Sequence, residues 1–197
     1  MNKKKLEIEL SKLETLNSKN IKLEQYQIEG SLAAEFLLFG LKDIQDKTVA
    51  DFGCGNGILG YGCLLLNAEK VYFVDIDEEA IKLSKKNCSK FKNVEFFNCD
   101  VLGFNKKVDT VIMNPPFGVQ NRKADKKFLE KAFEVSKNIC SIHKLGSEKF
   151  IEKISQENNF EIVKFIKKKF MIKKSYKFHT KEKYFVDVGF WNLKSFK

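Results

Sequence analysis

Proline is nearly missing from this 197-residue chain: there are two, and they stand side by side as Pro115-Pro116. Arginine is rarer still, with Arg122 alone, and histidine occurs only as His143 and His179. The five cysteines (Cys54, Cys63, Cys88, Cys99 and Cys140) are odd in number and never spaced as CxxC. That pattern argues against both a disulfide framework and a zinc site; it suits free, buried thiols in a reducing cytoplasm, with no metal expected. No apolar run is long enough to span a bilayer, so no membrane partner is expected. The start, Met1-Asn2-Lys3-Lys4-Lys5, leads into an acid-bearing amphipathic stretch and not an apolar core, so no secretory signal is expected.

What the chain has instead is lysine, and a formal net charge of +10. A polyanion is the natural partner for such a charge, because neutralising phosphates releases their counterions. A lysine-rich surface that only keeps the protein solvated explains the number equally well. At this length one sizeable core is expected, a single domain over 1–197 with a helical extension (1–45) before the core (46–197).

Leu6, Leu10, Leu13 and Leu16 recur at helical spacing among Lys and Glu and predict an amphipathic helix over Leu6–Leu16. A second helix is expected over Leu32–Leu41 with Ser31 as its cap. Beyond it, apolar runs and amphipathic stretches alternate. Strands are expected at Thr48–Phe52, Lys70–Asp75, Val94–Asn98, Val108–Met113 and Ile139–Ile142, and helices at Ile58–Asn67, Glu78–Cys88, Phe128–Val135 and Ser147–Glu157. Phe160–Ile172 and Tyr184–Leu193 then follow as two directly connected strands. This order implies an α/β fold, Rossmann-like, with a mostly parallel sheet closed by an antiparallel C-terminal hairpin.

Asp51-Phe52-Gly53-Cys54-Gly55-Asn56-Gly57 ends the first strand and opens a helix. Glycines let the backbone approach a ligand, and a helix N-terminus offers free N–H groups to an anion. Gly55-x-Gly57-x-x-Gly60 also fits a dinucleotide fingerprint, which leaves a pyrophosphate and the carboxylate end of S-adenosyl-L-methionine as candidates. The acid at Asp51 suits a cationic amine better than a pyrophosphate. Two further acids end strands: Asp75 is placed to take ribose hydroxyls and Asp100 to accept from an adenine amine. Asp77 suits the N-cap of the next helix better than Asp75 does.

Asn114-Pro115-Pro116-Phe117 closes the strand Val111-Ile112-Met113. Each proline fixes its own φ and pushes the residue before it out of the helical region, so Asn114 and Pro115 should be extended at the strand's C-terminal end. That end is where ligands sit in open α/β sheets. An amide oxygen, a free carbonyl and an aromatic face are what a planar base with an exocyclic amine requires. A proline turn beside a packed Phe is the structural alternative.

Lys167, Lys168, Lys169, Lys173, Lys174 and Lys177 run along the final hairpin with Phe170, Tyr176 and Phe178 among them, a mixture that can track RNA phosphates and stack loose bases. A lysine-protected edge strand is the alternative. His143 and His179 fit a structural or RNA-contacting place better than acid–base work. Residues 121–127, just after the prolines, are expected to form a substrate loop.

Taken in order, VADFGCGNG, FVDIDEEAI, NCDV, VIMNPPFG, SIHK and SYKFH resemble the methyltransferase-like protein 5 family, from about Leu23 to near the C-terminus. The resemblance implies a seven-stranded class I S-adenosylmethionine-dependent methyltransferase that methylates the N6 amine of an adenosine in small-subunit rRNA. It also implies cofactor contacts at Gln25, Gly53, Asn56, Ile58, Asp75, Asp100 and Val101, and a catalytic lip over Asn114 to Phe117. In eukaryotic members it implies a small zinc-binding methyltransferase activator subunit as partner. One departure stands out: the family has Pro-Thr soon after LEQY, with the Thr reaching the cofactor, where this chain has Gln27-Ile28-Glu29-Gly30. Ile28 brings no hydroxyl to that contact. The same chemistry on DNA adenine or a protein glutamine amide, and a non-catalytic cofactor- or RNA-binding subunit, are the rival readings. A dehydrogenase is the more distant one.

Overall fold

The structure, a computed structural model, describes residues 1–16, 28–116, 124–173 and 183–196. A seven-stranded sheet runs in the order β3-β2-β1-β4-β5-β7-β6. Its strands are β1 Thr48–Phe52, β2 Lys70–Asp75, β3 Val94–Asn98, β4 Thr110–Met113, β5 Asn138–Lys144, β6 Phe160–Lys173 and β7 Lys183–Ser195. β1 to β5 pair in parallel, whereas β7 is antiparallel to β5 and to the edge strand β6. The chain reverses its direction of travel across the sheet between β1 and β4, so the loops after those strands flank a crevice.

β1, β2 and β3 keep the expected bounds. β4 starts two residues later than expected. Asp109, just before it, uses its carboxylate to accept from the Thr48 N–H and hydroxyl, both at 2.8 Å. β4 stops at Met113, where the two prolines follow.

The helices are α1 Lys3–Ser11, α2 Gly30–Phe39, α3 Leu41–Ile44, α4 Ile58–Leu65, α5 Glu78–Asn87, α6 Ala124–Val135 and α7 Glu148–Glu157. α1 begins and ends earlier than its leucine spacing predicts. Asn2 Oδ1 caps it by accepting from the Lys5 N–H, and the chain leaves the helix before Glu14, whose main chain bonds to Asn87 and Asn56. α2 begins at Gly30, and Glu29, not Ser31, occupies the cap position. A Cβ at Gly30 would lie 2.4 Å from Ser11 Oγ, so this glycine lets α2 cross α1 closely. The expected Asp77 cap of α5 is present, with Asp77 Oδ1 accepting from the Glu79 N–H at 3.0 Å.

The sheet separates two apolar clusters. Leu6, Leu10, Phe36, Leu37, Leu59 and Phe190 belong to the one under α1, α2 and α4. Phe52, Phe104, Met113, Leu129, Ile151 and Trp191 belong to the other, under α6 and α7. Among the described residues no helix is long and apolar enough to cross a membrane. The five cysteines are free, and all but the half-buried Cys99 are buried.

Candidate active site

The glycine loop is shaped by three left-handed residues, Gly53 (φ 68°), Gly55 (φ 56°) and Gly57 (φ 83°), a region where a side chain is strained. At Gly55 a Cβ would meet nothing within 4 Å among the described residues, so the backbone there faces space that a ligand can enter. At Gly53 a Cβ would lie 3.0 Å from the Phe128 ring, which brings α6 against the loop. Gly60 serves packing: its Cβ would meet Phe73 at 2.2 Å, and only a glycine lets α4 lie so close to β2.

Two carboxylates hold this loop from below. Asp51 is 1% exposed, and its Oδ2 accepts from the Gly60 N–H at 2.8 Å. Burial raises its pKa to about 7, against the opposing hydrogen bond from Gly60. Asp75, at the end of β2, accepts from the Gly55 N–H at 2.8 Å and the Asp77 N–H at 2.9 Å. Its pKa is also raised, chiefly by burial, with the backbone hydrogen bonds opposing. Both acids therefore organise the loop, and a cation brought to them would favour their charged forms.

The other expected cofactor residues divide into several groups. Asp100 is exposed and caps the short 3₁₀ turn Val101–Gly103 through the Leu102 N–H at 2.9 Å. Val101 is buried in the apolar core, so any ligand contact it makes comes from its main chain. Ile58 is buried as well, with its N–H donated to Asn56 Oδ1 at 3.3 Å. Asn56 is 4% exposed; its Nδ2 donates to the Glu14 carbonyl at 3.0 Å, so its amide is directed at the N-terminal segment. Ile28 is 4% exposed and its side chain belongs to the apolar cluster, in keeping with a residue that brings no hydroxyl to the site. Gln25 lies outside the described residues.

Ile76 and Leu102, neither singled out from sequence, are large apolar side chains left 56% and 46% exposed beyond β2 and β3. Asn98 steadies this corner, its Nδ2 donating to the carbonyls of Asp75 and Ile76, both at 3.1 Å. Open space over Gly55, acids at two strand ends and apolar flanks fit an adenosyl group with a cationic amino-acid tail.

Across the crevice, Asn114 follows β4 and Pro115 is buried. Asn114 Oδ1 is buried and has no hydrogen-bond partner among the described residues. Such an acceptor is costly to leave unmet, by about 1–3 kcal/mol, so its presence at a strand's C-terminal end marks a place for an incoming donor. Pro116 is partly exposed beside it, and Phe117 lies outside the described residues.

His143 is 2% exposed on β5, its Nε2 has no partner among the described residues, and burial lowers its pKa to about 3, the setting of a core histidine. His179 lies outside the described residues, as do 121–123 of the expected substrate loop; its other residues, 124–127, are not loop but the first turn of α6.

The basic hairpin is divided by the sheet. A register shift between Ile162 and Lys164 resets the alternation of β6. Phe165 then packs on Trp191 with ring centroids 4.1 Å apart, whereas Ile166 packs against the opposite cluster. Lys167 and Lys169 are exposed on the Phe165 face. Lys168 faces the other way and pairs with Glu35 at 2.7 Å. It helps line an open groove of about 370 Å³ with Lys3, Glu35, Leu38, Phe39, Lys164 and Ile166. The three consecutive lysines thus do not form one stripe. Lys173 ends the described part of β6, and Lys174 and Lys177 lie outside the described residues.

Comparison with known proteins decides what this crevice belongs to. The methyltransferase small domain family matches residues 30–178. This chain belongs to that family. It is therefore a methyltransferase, and S-adenosylmethionine is its cofactor. It is 34% identical to the rRNA N(6)-adenosine-methyltransferase METTL5 of Danio rerio, over 96% of this chain and 97% of the relative. It is 36% identical to the uncharacterized protein MJ0284 of Methanocaldococcus jannaschii, over 91% and 88% of the two chains. The crystal structure of PH1948 from Pyrococcus horikoshii superposes with a TM-score of 0.93 at 41% identity, covering 99% of this chain and 98% of that one.

Proposed function

We propose that this methyltransferase acts on the N6 amine of an unpaired adenosine in small-subunit rRNA. The observation that carries the reading is the unpartnered, buried Asn114 Oδ1 immediately before Pro115, at the end of the strand beside the glycine loop. Whole-length similarity to rRNA N(6)-adenosine-methyltransferases supports the choice of amine and of RNA. The exposed Lys167 and Lys169 supply charge for a phosphate backbone.

When bound, the cofactor supplies an electrophilic methyl group on a sulfonium. Asp75 would take the ribose hydroxyls and Asp100 the adenine amine, and the left-handed glycines would let the loop lie against the amino-acid tail. The amine of adenine is a poor nucleophile because its lone pair is delocalised into the ring. Asn114 Oδ1 and the Pro115 carbonyl accept its two N–H bonds, which favours a pyramidal nitrogen with its lone pair aimed across the crevice. The role proposed for Phe117, which lies outside the described residues, is to stack on the base. No side chain acts as a strong base, so positioning and fixed dipoles carry the rate. A paired adenine cannot reach this lip and must be flipped out or already single-stranded.

The protein works as one domain over 1–197, in a reducing cytoplasm that suits its free thiols. Purified alone, it tests whether a small zinc-binding activator subunit is required. The rival substrates are DNA adenine and a protein glutamine amide, which presents a similar planar amine. Transfer of labelled methyl from the cofactor to small-subunit rRNA, to DNA and to a glutamine-bearing release-factor-like protein separates them. The expected outcome is label in rRNA as N6-methyladenosine; label only in protein or DNA overturns the reading.

A further inference from the structure

We infer that Asn87 is a positioning residue of the cofactor site, through which the glycine loop and the segment following α1 are held to one another. Asn87 is the last residue of α5, half-buried, and carries no chemistry of its own. Its side-chain amide nevertheless uses both ends. Nδ2 donates to the Asn56 carbonyl at 2.9 Å and to the Glu14 carbonyl at 3.1 Å, and Oδ1 accepts from the Glu14 N–H at 3.1 Å. An amide presents a donor and an acceptor side by side, as a peptide unit does. Asn87 thereby grips the main chain of Glu14 as a neighbouring strand would, and holds Asn56 with the same nitrogen.

Asn56 closes the triangle. Its own Nδ2 donates to the Glu14 carbonyl at 3.0 Å, and its Oδ1 accepts from the Ile58 N–H at the start of α4. It stands between Gly55 and Gly57, both left-handed, where the backbone has least intrinsic stiffness. The bond that Asn56 accepts from Asn87 and the one it donates to the Glu14 carbonyl supply the stiffness that the glycines lack. The same bonds fix Glu14, in the stretch leading to residues 17–27, which contain Gln25. The exposed Lys86–Glu14 ion pair at 2.7 Å spans the same junction but, being solvated, contributes little. A clamp that served the fold alone would have no reason to converge on the loop residue between two left-handed glycines.

The inference rests on the cofactor lying at the glycine loop, and its test separates the two claims. Asn87→Asp preserves size but removes both donors, leaving the Glu14 and Asn56 carbonyls facing a carboxylate. Asn87→Ala removes the same bonds without repulsion and serves if the first variant folds poorly. Calorimetry of S-adenosylmethionine binding to the full-length protein should show affinity weakened about tenfold or more, the equivalent of losing one to two hydrogen bonds. KM for the cofactor should rise in parallel while kcat at saturation stays within about twofold. Lys86→Gln, which breaks only the exposed pair, should leave cofactor affinity unchanged. Asp75→Ala is the reference. Wild-type affinity in a destabilised Asn87 variant, with binding weakened in Asp75→Ala, makes Asn87 a structural clamp and overturns the proposal. Wild-type affinity in both overturns the placement of the cofactor itself.

Discussion

The glycine loop and the end of β4 handle buried polar groups in opposite ways. In the loop the buried acids and amides are engaged: Asp51 by Gly60, Asp75 by Gly55 and Asp77, Asn56 by Glu14 and Ile58. On the β4–β5–β7 side Asn192 and Thr110 bond to Asp43, but among the described residues Asn114 Oδ1, Ser141 Oγ, His143 Nε2 and Trp191 Nε1 are buried without partners. A saturated network is rigid before any ligand arrives, which suits a cofactor bound in one geometry whatever the substrate. Unmet acceptors store unfavourable free energy that a correctly placed donor relieves, which suits discrimination of one amine from other groups. Of the four unmet atoms, only that of Asn114 stands at the C-terminal end of β4, beside the crevice. Ser141, His143 and Trp191 are core positions on β5 and β7.

That contrast can be broken at either place. Asn114→Ala removes the one acceptor at the strand end and should lower single-turnover methylation about 100- to 1000-fold. Because it touches nothing in the saturated loop, cofactor affinity should stay within about threefold. Loss of rate and of binding together would make Asn114 a structural residue. Asp75→Ala should do the reverse, weakening cofactor binding roughly 10- to 1000-fold through the loss of one to two charge-assisted bonds. Unchanged calorimetric binding in a folded variant would remove the ribose assignment.

Titration sharpens the comparison further. Asp51 has a folded pKa of about 7, above its ordinary 3.8, so the folded state holds the proton more tightly than the unfolded chain. Its contribution to stability is complete below about pH 4 and is lost as pH rises through about 7. His143 acts oppositely: its pKa falls from 6.5 to about 3, so stability is lost as pH falls between those values. Asp51→Asn can still accept from Gly60 and should raise Tm at about pH 8 by a few degrees, with the gain vanishing near pH 4. Parallel melting curves at all pH values would show that Asp51 is not a desolvated acid.

The smallest effect concerns the divided lysines. Changing Lys167 and Lys169 together to Gln should reduce the salt dependence of RNA binding by about two counterions, and Lys168→Gln by less, since Glu35 already pairs it. Equal slopes for all three would mean that the alternation of β6 does not matter to RNA.

The central strands were legible because each is a short apolar run, and β2, β3 and β4 stop at Asp75, Asn98 and the prolines after Asn114. α1 and α2 were misplaced because their limits depend on distant contacts, Gly30 against Ser11 and Glu14 against Asn87. The lysines read as one stripe because nothing in the letters reveals the register shift before Lys164. Asn87 was invisible for the same physical reason: its amide matters only through partners 31 and 73 residues away.

The substrate assignment is tested most directly by mapping N6-methyladenosine in small-subunit rRNA from cells with and without this gene. The account predicts that one methylated adenosine disappears without the gene and returns with the wild-type chain but not with Asn114→Ala. An unaltered map, or restoration by Asn114→Ala, would contradict it.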